Sequence, residues 1–453
     1  MLLNTKLNFL SVFFLEKFDL NLFRYRFSFG FAFLLLLTGI ISLLITKRSL
    51  QKLSQFLTIS TGLLAGYTLI VSLSLIFSYA LATFQSTKNL PTKKESQTTS
   101  QYPDIFYVVV DEFAGFSTLN AYFKFDTQEI ENEFKKLGFI IPYKSFSNYP
   151  TTANSLPSTL NFEYSHTLYK QQNMSLTQAT KSLAQNTRIL KFLKNKGYKT
   201  IHIGGASGYY PTEYNPYADI NISARNHGFF QNYLLVHNRY INLVIDTSII
   251  SPVIKKWATL QHYKSSGIPL AFEILKKISK KKQPQFIYCH ILSPHTPYFF
   301  DEDGNLNPPN IINEAHEINS AKKYYLKQLR FVASKLLGLA HSITDKYKGN
   351  VVIIFQSDHG SGFQLYEDGT PTSAASTSPP AFQERFFNLN LIYLKKECEH
   401  LIYDHISNVN ILRVLLNCYF NAKLPLLEDK AYFSGLEHII PTFDITPQLF
   451  ETP

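Results

Sequence analysis

The sequence predicts an α/β domain, a parallel sheet with helices on both faces, preceded by two transmembrane helices. Three observations predict it. First, three short β-rich apolar runs break off in residues able to bind a metal or a proton: DIFYVVVDE (Asp104 to Glu112), QFIYCHILSPH (Gln285 to His295) and NVVIIFQSDHG (Asn350 to Gly360). Continuous apolar runs of this length suit central strands buried on both faces. Second, helical patterns lie between them, such as TQEIENEFKKLGF before the turn at Gly138, and NTRILKFLKNKGYKTIHIGG, a helix leading into a strand. Alternating helix and strand imply a sheet covered on both sides. Third, two long uncharged stretches stand near the amino terminus.

The first of these, residues 27–46, reads FSFGFAFLLLLTGIISLLIT, about the ~20 residues needed to cross a bilayer. The second covers residues 56–84 and contains Gly62, Ala65 and Gly66, small residues that let membrane helices pack closely. A signal peptide would lie nearer the terminus and end in a small-residue cleavage site. Between the spans KRSLQK, Lys47 to Lys52, carries three positive charges and no acid. The positive-inside rule puts that loop in the cytoplasm and both flanks outside. The run Leu7 to Leu15 is too short to span and suits the membrane surface.

Residues 86–101 are polar and read as a tether, and the globular domain is expected over 102–453. No internal repeat is seen, and TPTSAASTSPPAF, Thr370 to Phe382, reads as a mobile loop. A chain of 453 residues with 45% hydrophobic and 17% charged residues is folded rather than disordered. Lys plus Arg (44) exceeds Asp plus Glu (33), but the lysines are scattered, so nucleic-acid binding is not indicated. The three cysteines allow at most one bridge, with Cys398 and Cys418 the only near pair in sequence.

In open α/β sheets ligands collect outside the carboxyl ends of the strands. There fall Asp111, Glu112, His290, His295, Asp358 and His359. Singly, each has a plainer explanation: Asp111 as a helix cap, His290 as a hydrogen-bonded core histidine. Asp358, His359 and Gly360 together are harder to dismiss, since carboxylate and imidazole side by side after a buried strand make a metal corner. The segment SFSNYPTTANSLPSTLN, Ser145 to Asn161, offers hydroxyls before a helix expected to start near Ala153. A helix start favours an incoming phosphate or sulfate. Thr151 and Thr152 are the candidate nucleophiles, with ordinary capping as the alternative role.

The order VVVDE, TANSLP, HILSPH, SDHG resembles the alkaline phosphatase and sulfatase superfamily, and within it the membrane-anchored phosphoethanolamine and phosphoglycerol transferases. The resemblance implies a central sheet of that family's type and covers most of Tyr102 to Phe433. It implies that Asp111, Asp358 and His359 bind a divalent metal together with Thr152, and that Glu112 stands where sulfatases carry a second acidic ligand. TANSLP matches a T-x-x-S-x-P spacing that makes Thr152 rather than Thr151 the nucleophile. His290 and His295 match an H-x-x-x-x-H pair whose second member lies near the headgroup. ERFFNLNLIYL, Glu384 to Leu394, and VNILRVLLNCYF, Val409 to Phe420, resemble stretches of uncharacterised sulfatase-like membrane proteins and are expected to be scaffold, with Arg385 able to reach a phosphate.

No C/S-x-P-x-R motif occurs near Thr152, which points away from formylglycine chemistry and toward phosphorus. Gly360 to Gln383 contains no histidine, so one metal ion is expected: manganese, magnesium or zinc. The expected function is a membrane-anchored transferase or hydrolase of phosphodiester headgroups. Its partners would be a membrane phospholipid donor and a cell-envelope glycan or lipid acceptor. The competing readings are a phosphodiesterase or phosphatase acting on soluble esters, and a non-catalytic tethered domain that binds a glycan or lipid headgroup.

Overall fold

The computed structural model describes residues 102–170, 176–204, 206, 210–224, 267–308, 318–367, 377–433 and 443–451, with positions 54, 55 and 58. The expected spans 27–46 and 56–84, apart from those positions, and the linker 86–101 lie outside the described residues. Among the described residues no helix is long and apolar enough to cross a membrane.

Six strands form one sheet: β1 (Asp104–Val110), β2 (Lys199–Gly204), β3 (Ile220–Ser223), β4 (Gln285–Ile291), β5 (Val351–Ser357) and β6 (Asn390–Tyr393). Their spatial order is β3-β2-β4-β1-β5-β6. All neighbours are parallel except β6, which runs antiparallel to β5. The three runs singled out in the sequence are thus β4, β1 and β5, adjacent at the centre. Every residue of all three is buried, which is why they lack the polar alternation of a half-exposed strand.

The pleat sorts their side chains between two cores. Phe106, Val108 and Val110 of β1, Ile287 and Cys289 of β4, and Ile353 and Phe355 of β5 face the long helix Ile318–Tyr347 and the helix Gly267–Lys277. Ile105, Tyr107, Val109, Phe286, Tyr288, Val352 and Ile354 face the other way. They meet Leu156 and Leu160 of the helix Thr152–Leu160, Leu190 of Arg188–Asn195 and Leu415 of Asn408–Phe420. The same parity puts His290, within β4, and Asp111 and Asp358, just past the ends of β1 and β5, on this second face.

One expectation is corrected. The low-complexity segment Thr370 to Phe382 was expected to be loop throughout, yet its last four residues open the helix Pro379–Phe386. Proline has no N–H to lose in a first helical turn and its fixed φ suits that position, so Pro379 and Pro380 start the helix rather than break it.

Cys398 and Cys418 form a disulfide that ties the short helix Lys396–Glu399 to the helix Asn408–Phe420, while Cys289 is free and buried in β4. The bridge closes a loop of sequence separation 20, which in the chain-entropy view stabilises the domain by about 3 kcal/mol. Cys398→Ser should lower the unfolding free energy by roughly that amount in urea titration, with no change in metal binding. An unchanged midpoint would show that the bridge does not constrain the unfolded chain.

Candidate active site

Three neighbouring strands end together. Val109 lies opposite His290, and Val110 lies between Ile291 and Ser357, so the first residues beyond β1 and β5 converge with a residue of β4. His290 Nε2 is 3.4 Å from Asp111 Oδ2. His359 Nε2 is 3.9 Å from Asp111 Oδ1 and 3.3 Å from Asp358 Oδ2. Ligand atoms of Asp111, His290 and Asp358 all lie within 4.8 Å of one another, and the three side chains are buried.

Asp358 is anchored through one oxygen, Oδ1, which accepts from the backbone N–H of Glu112 (3.1 Å) and of His359 (2.9 Å). Its Oδ2, like Asp111 Oδ1, is buried and accepts no hydrogen bond among the described residues. His359 Nδ1 lies 3.0 Å from the Gly360 carbonyl. A carbonyl only accepts, so Nδ1 carries the proton and Nε2 presents a lone pair to the cluster. Burial, and then the Arg385 charge, lower the His359 pKa to about 3, so the ring is neutral. Burial, and then the charge on Asp111, raise Asp358 to about 6. Burial pushes Asp111 the same way, but His295 and His290 outweigh it and hold its carboxyl below the usual range. Two orphaned carboxylate oxygens and an imidazole lone pair, out of water, form a donor set that fits a divalent cation.

The helix Thr152–Leu160 brings the hydroxyl. Thr151 is its N-cap in extended conformation, with no side-chain capping bond, and Thr152 is the first helical residue. Thr152 Oγ1 lies 3.4 Å from His359 Nε2. Ser155, one turn on, donates to the Asp358 carbonyl and so registers the helix against the strand end. The residues expected to bind metal therefore separate. Asp111, Asp358, His359 and Thr152 meet, joined by His290, which the resemblance pairs with His295 rather than with the metal ligands. Glu112 turns away: its backbone sits at φ 63°, a conformation unusual for a non-glycine residue. Its carboxylate pairs with Arg385 at 2.9 Å and faces His295 Nε2 at 3.8 Å.

His295 is the most accessible ring of the group, its side chain 34% exposed. Burial opposes its charge, but Glu112 and Asp111 overcome that and raise its pKa. His290 is enclosed: Thr212 Oγ1 lies 3.0 Å from its Nδ1, and the Thr212 carbonyl accepts from His202 Nε2 at 2.7 Å. Thr212 was not singled out in the sequence, because its segment carries no pattern to mark it. Glu384 and Arg385 fall in a run expected to be scaffold, with Arg385 alone expected to be able to reach a phosphate. The signal available was two adjacent opposite charges inside an aromatic stretch, QERFF. Glu384 accepts from Ser361 Oγ (2.8 Å) and from the N–H groups of Phe363 (2.7 Å) and Gln364 (3.0 Å), bracing the chain after His359.

Gly360 is required by close approach. A Cβ there would sit 2.2 Å from the Glu384 carbonyl oxygen and 2.7 Å from that of Phe387. Both are backbone atoms of a packed segment and cannot swing aside. Gly360→Ala should cost on the order of 2 kcal/mol or more of stability, read as a lowered Tm, and should weaken metal binding by displacing His359. A wild-type Tm would mean that this turn is looser than its packing implies.

A parallel α/β sheet whose carboxyl edge gathers two carboxylates, two imidazoles and a helix-start threonine is the arrangement of an enzyme of the alkaline phosphatase and sulfatase superfamily. The sequence model of the family described as Sulfatase matches residues 103–382, more than half of the chain, and the chain belongs to that family. No curated protein matches the chain in sequence. Among solved structures, the chain is similar to the C-terminal periplasmic domain of phosphoethanolamine transferase EptC from Campylobacter jejuni. The identity is 16%, covering 72% of this chain and 92% of that one, with a TM-score of 0.43. The EptC domain from Escherichia coli in complex with zinc is 12% identical, covering 77% and 94%, at a TM-score of 0.46. The soluble domain of lipooligosaccharide phosphoethanolamine transferase A from Neisseria meningitidis is 13% identical, covering 70% and 88%, at 0.41. At this distance these likenesses assign neither substrate nor metal.

Proposed function

We propose that the chain is a membrane-anchored, metal-dependent enzyme that transfers or hydrolyses a phosphodiester headgroup, of phosphoethanolamine or phosphoglycerol type, through Thr152. The observation that carries this reading is the meeting of the Thr152 hydroxyl, at a helix start, with the buried group Asp111, His290, Asp358 and His359. In the proposed organisation residues 1–85 anchor the chain through the spans 27–46 and 56–84, 86–101 tether it, and 102–453 catalyse outside the cytoplasm. The Cys398–Cys418 disulfide supports that side of the membrane, because such bonds persist in oxidising compartments.

One manganese, magnesium or zinc ion held by Asp111, His290, Asp358 and His359 would supply the positive charge that favours a deprotonated threonine and an anionic phosphate. Thr152 Oγ, its proton given up to solvent before the cycle, attacks the phosphorus in line as the alkoxide, forming a P–O bond as the bond to the lipid alcohol breaks, and returns to the alkoxide when the second displacement releases it. Outward-facing N–H groups of the first helical turn favour the incoming anion. His295 stands at the accessible side with a raised pKa and gives its proton to the departing oxygen. A glycan or lipid hydroxyl, or water, then attacks the same phosphorus, its proton returning to His295, and Thr152 is released.

The test is intact and peptide mass spectrometry on the full chain in phospholipid vesicles with manganese. A headgroup phosphate mass on Thr152 is expected and would name the donor. An unmodified Thr152 in a metal-loaded protein that nevertheless turns over phospholipid would overturn the nucleophile assignment. Absence of any turnover would favour a binding domain.

A further inference from the structure

Arg385 is 5% exposed and its guanidinium is almost wholly committed to the walls of the site. Nε donates to the Pro150 carbonyl at 2.7 Å, two residues before Thr152. Nη1 donates to Glu112 Oε1 at 2.9 Å and reaches the Gly360 carbonyl at 3.3 Å. Those bonds fix the plane of the group against the loop that carries the nucleophile, the residue after Asp111 and the turn after His359. Nη2 is different. It has two N–H groups and one contact among the described residues, a long one of 3.4 Å to His359 Nε2, the atom that also lies 3.4 Å from Thr152 Oγ1.

We propose that Arg385, oriented by Glu112, binds a non-bridging oxygen of the substrate's phosphate through Nη2 while Thr152 attacks. The proposal rests on the phosphodiester reading above and adds the residue that selects a tetrahedral oxyanion. Three carboxylates, Asp111, Glu112 and Asp358, crowd this centre, and an anionic ester entering it meets repulsion. Arg385 cancels the Glu112 charge and leaves the Nη2 edge of a rigid, always-charged fork at His359 Nε2, the atom that Thr152 Oγ1 also approaches. An engagement of His359 Nε2 with a metal removes the lone pair that Nη2 now faces, leaving its N–H groups free for an anionic oxygen. A lysine cannot reproduce this, because its ammonium has no planar fork to be held on one side and donate from the other.

The experiment uses the full chain in detergent with manganese, and inorganic phosphate as the probe, with phosphate affinity read by competition against a water-soluble aryl phosphodiester and by calorimetry. Arg385→Lys and Arg385→Gln should keep the manganese affinity of the parent and lose phosphate affinity roughly tenfold or more, with KM for the ester rising. Parental phosphate affinity in a folded, manganese-binding variant would reduce Arg385 to a structural ion pair and overturn the proposal. The same phosphate titration in Thr152→Ala needs no turnover, so it separates this proposal from the nucleophile assignment: the affinity should persist there and still depend on Arg385. If neither arginine variant folds, a crystal structure of the parent with manganese and orthovanadate decides. An oxyanion oxygen within hydrogen-bond reach of Arg385 Nη2 supports the proposal, and an oxyanion bound away from it overturns it.

Discussion

Thr152→Ala should reduce turnover of a phosphodiester substrate by on the order of ten-thousand-fold or more, the scale expected when a covalent nucleophile is removed. Thr152→Ser, which keeps the hydroxyl, should retain measurable activity. The residue is half-buried at the first position of its helix, one residue past the N-cap Thr151, so the fold should survive with a change under about 1 kcal/mol. Manganese binding should persist in the alanine variant, because Asp111, His290, Asp358 and His359 remain. Circular dichroism and a metal titration establish those controls before rates are compared. An alanine variant that turns over within tenfold of the parent would remove Thr152 from the mechanism and return attention to Thr151 or to direct attack by water.

Asp358→Asn should act with opposite signs on the metal-free and metal-loaded protein. In the metal-free chain Asp111 and Asp358 are buried like charges whose ligand atoms lie within 4.8 Å. The amide oxygen can still accept from the Glu112 and His359 N–H groups, as Asp358 Oδ1 does. Its NH2 then offers a donor to Asp111 Oδ1 and to the His359 Nε2 lone pair. At pH 8, above the range in which Asp358 holds a proton, the variant should be more stable than the parent without metal by about 1–3 kcal/mol. In the parent, saturating manganese should raise the unfolding free energy by about 2.7 kcal/mol at a hundred times Kd, and chelation should abolish turnover. In the variant both the stabilisation and the turnover should vanish. Differential scanning calorimetry with and without manganese reads both signs, and an unchanged metal-induced shift in Asp358→Asn would remove Asp358 from the ligand set.

The sheet was legible because β1, β4 and β5 are local features: seven consecutive buried residues each, rich in Val, Ile and Phe, with Asp111, Glu112, His290, His295, Asp358 and His359 at or just beyond their carboxyl ends. The parity of the pleat is also local, and it sends Asp111, His290 and Asp358 to the face that receives the Thr152 helix. The turn at Gly360 is legible as a small residue after Asp358 and His359. What the sequence determined by itself was therefore the strands, their buried character and the residues delivered to their carboxyl edge.

Tertiary structure decided which of those residues meet. Glu112 follows Asp111 directly and reads as a second ligand, yet its partner is Arg385, 273 residues away, while His290 joins the carboxylates with Thr212, 78 residues earlier, behind it. Such pairings depend on where separate segments pack, and no propensity or period records that. A carboxylate at the end of a strand is fixed by its neighbours in sequence, but whether it faces other carboxylates, as Asp111 does, or a guanidinium, as Glu112 does, is set by what the fold packs beside it, because a buried charge is costly until it finds a counter-charge.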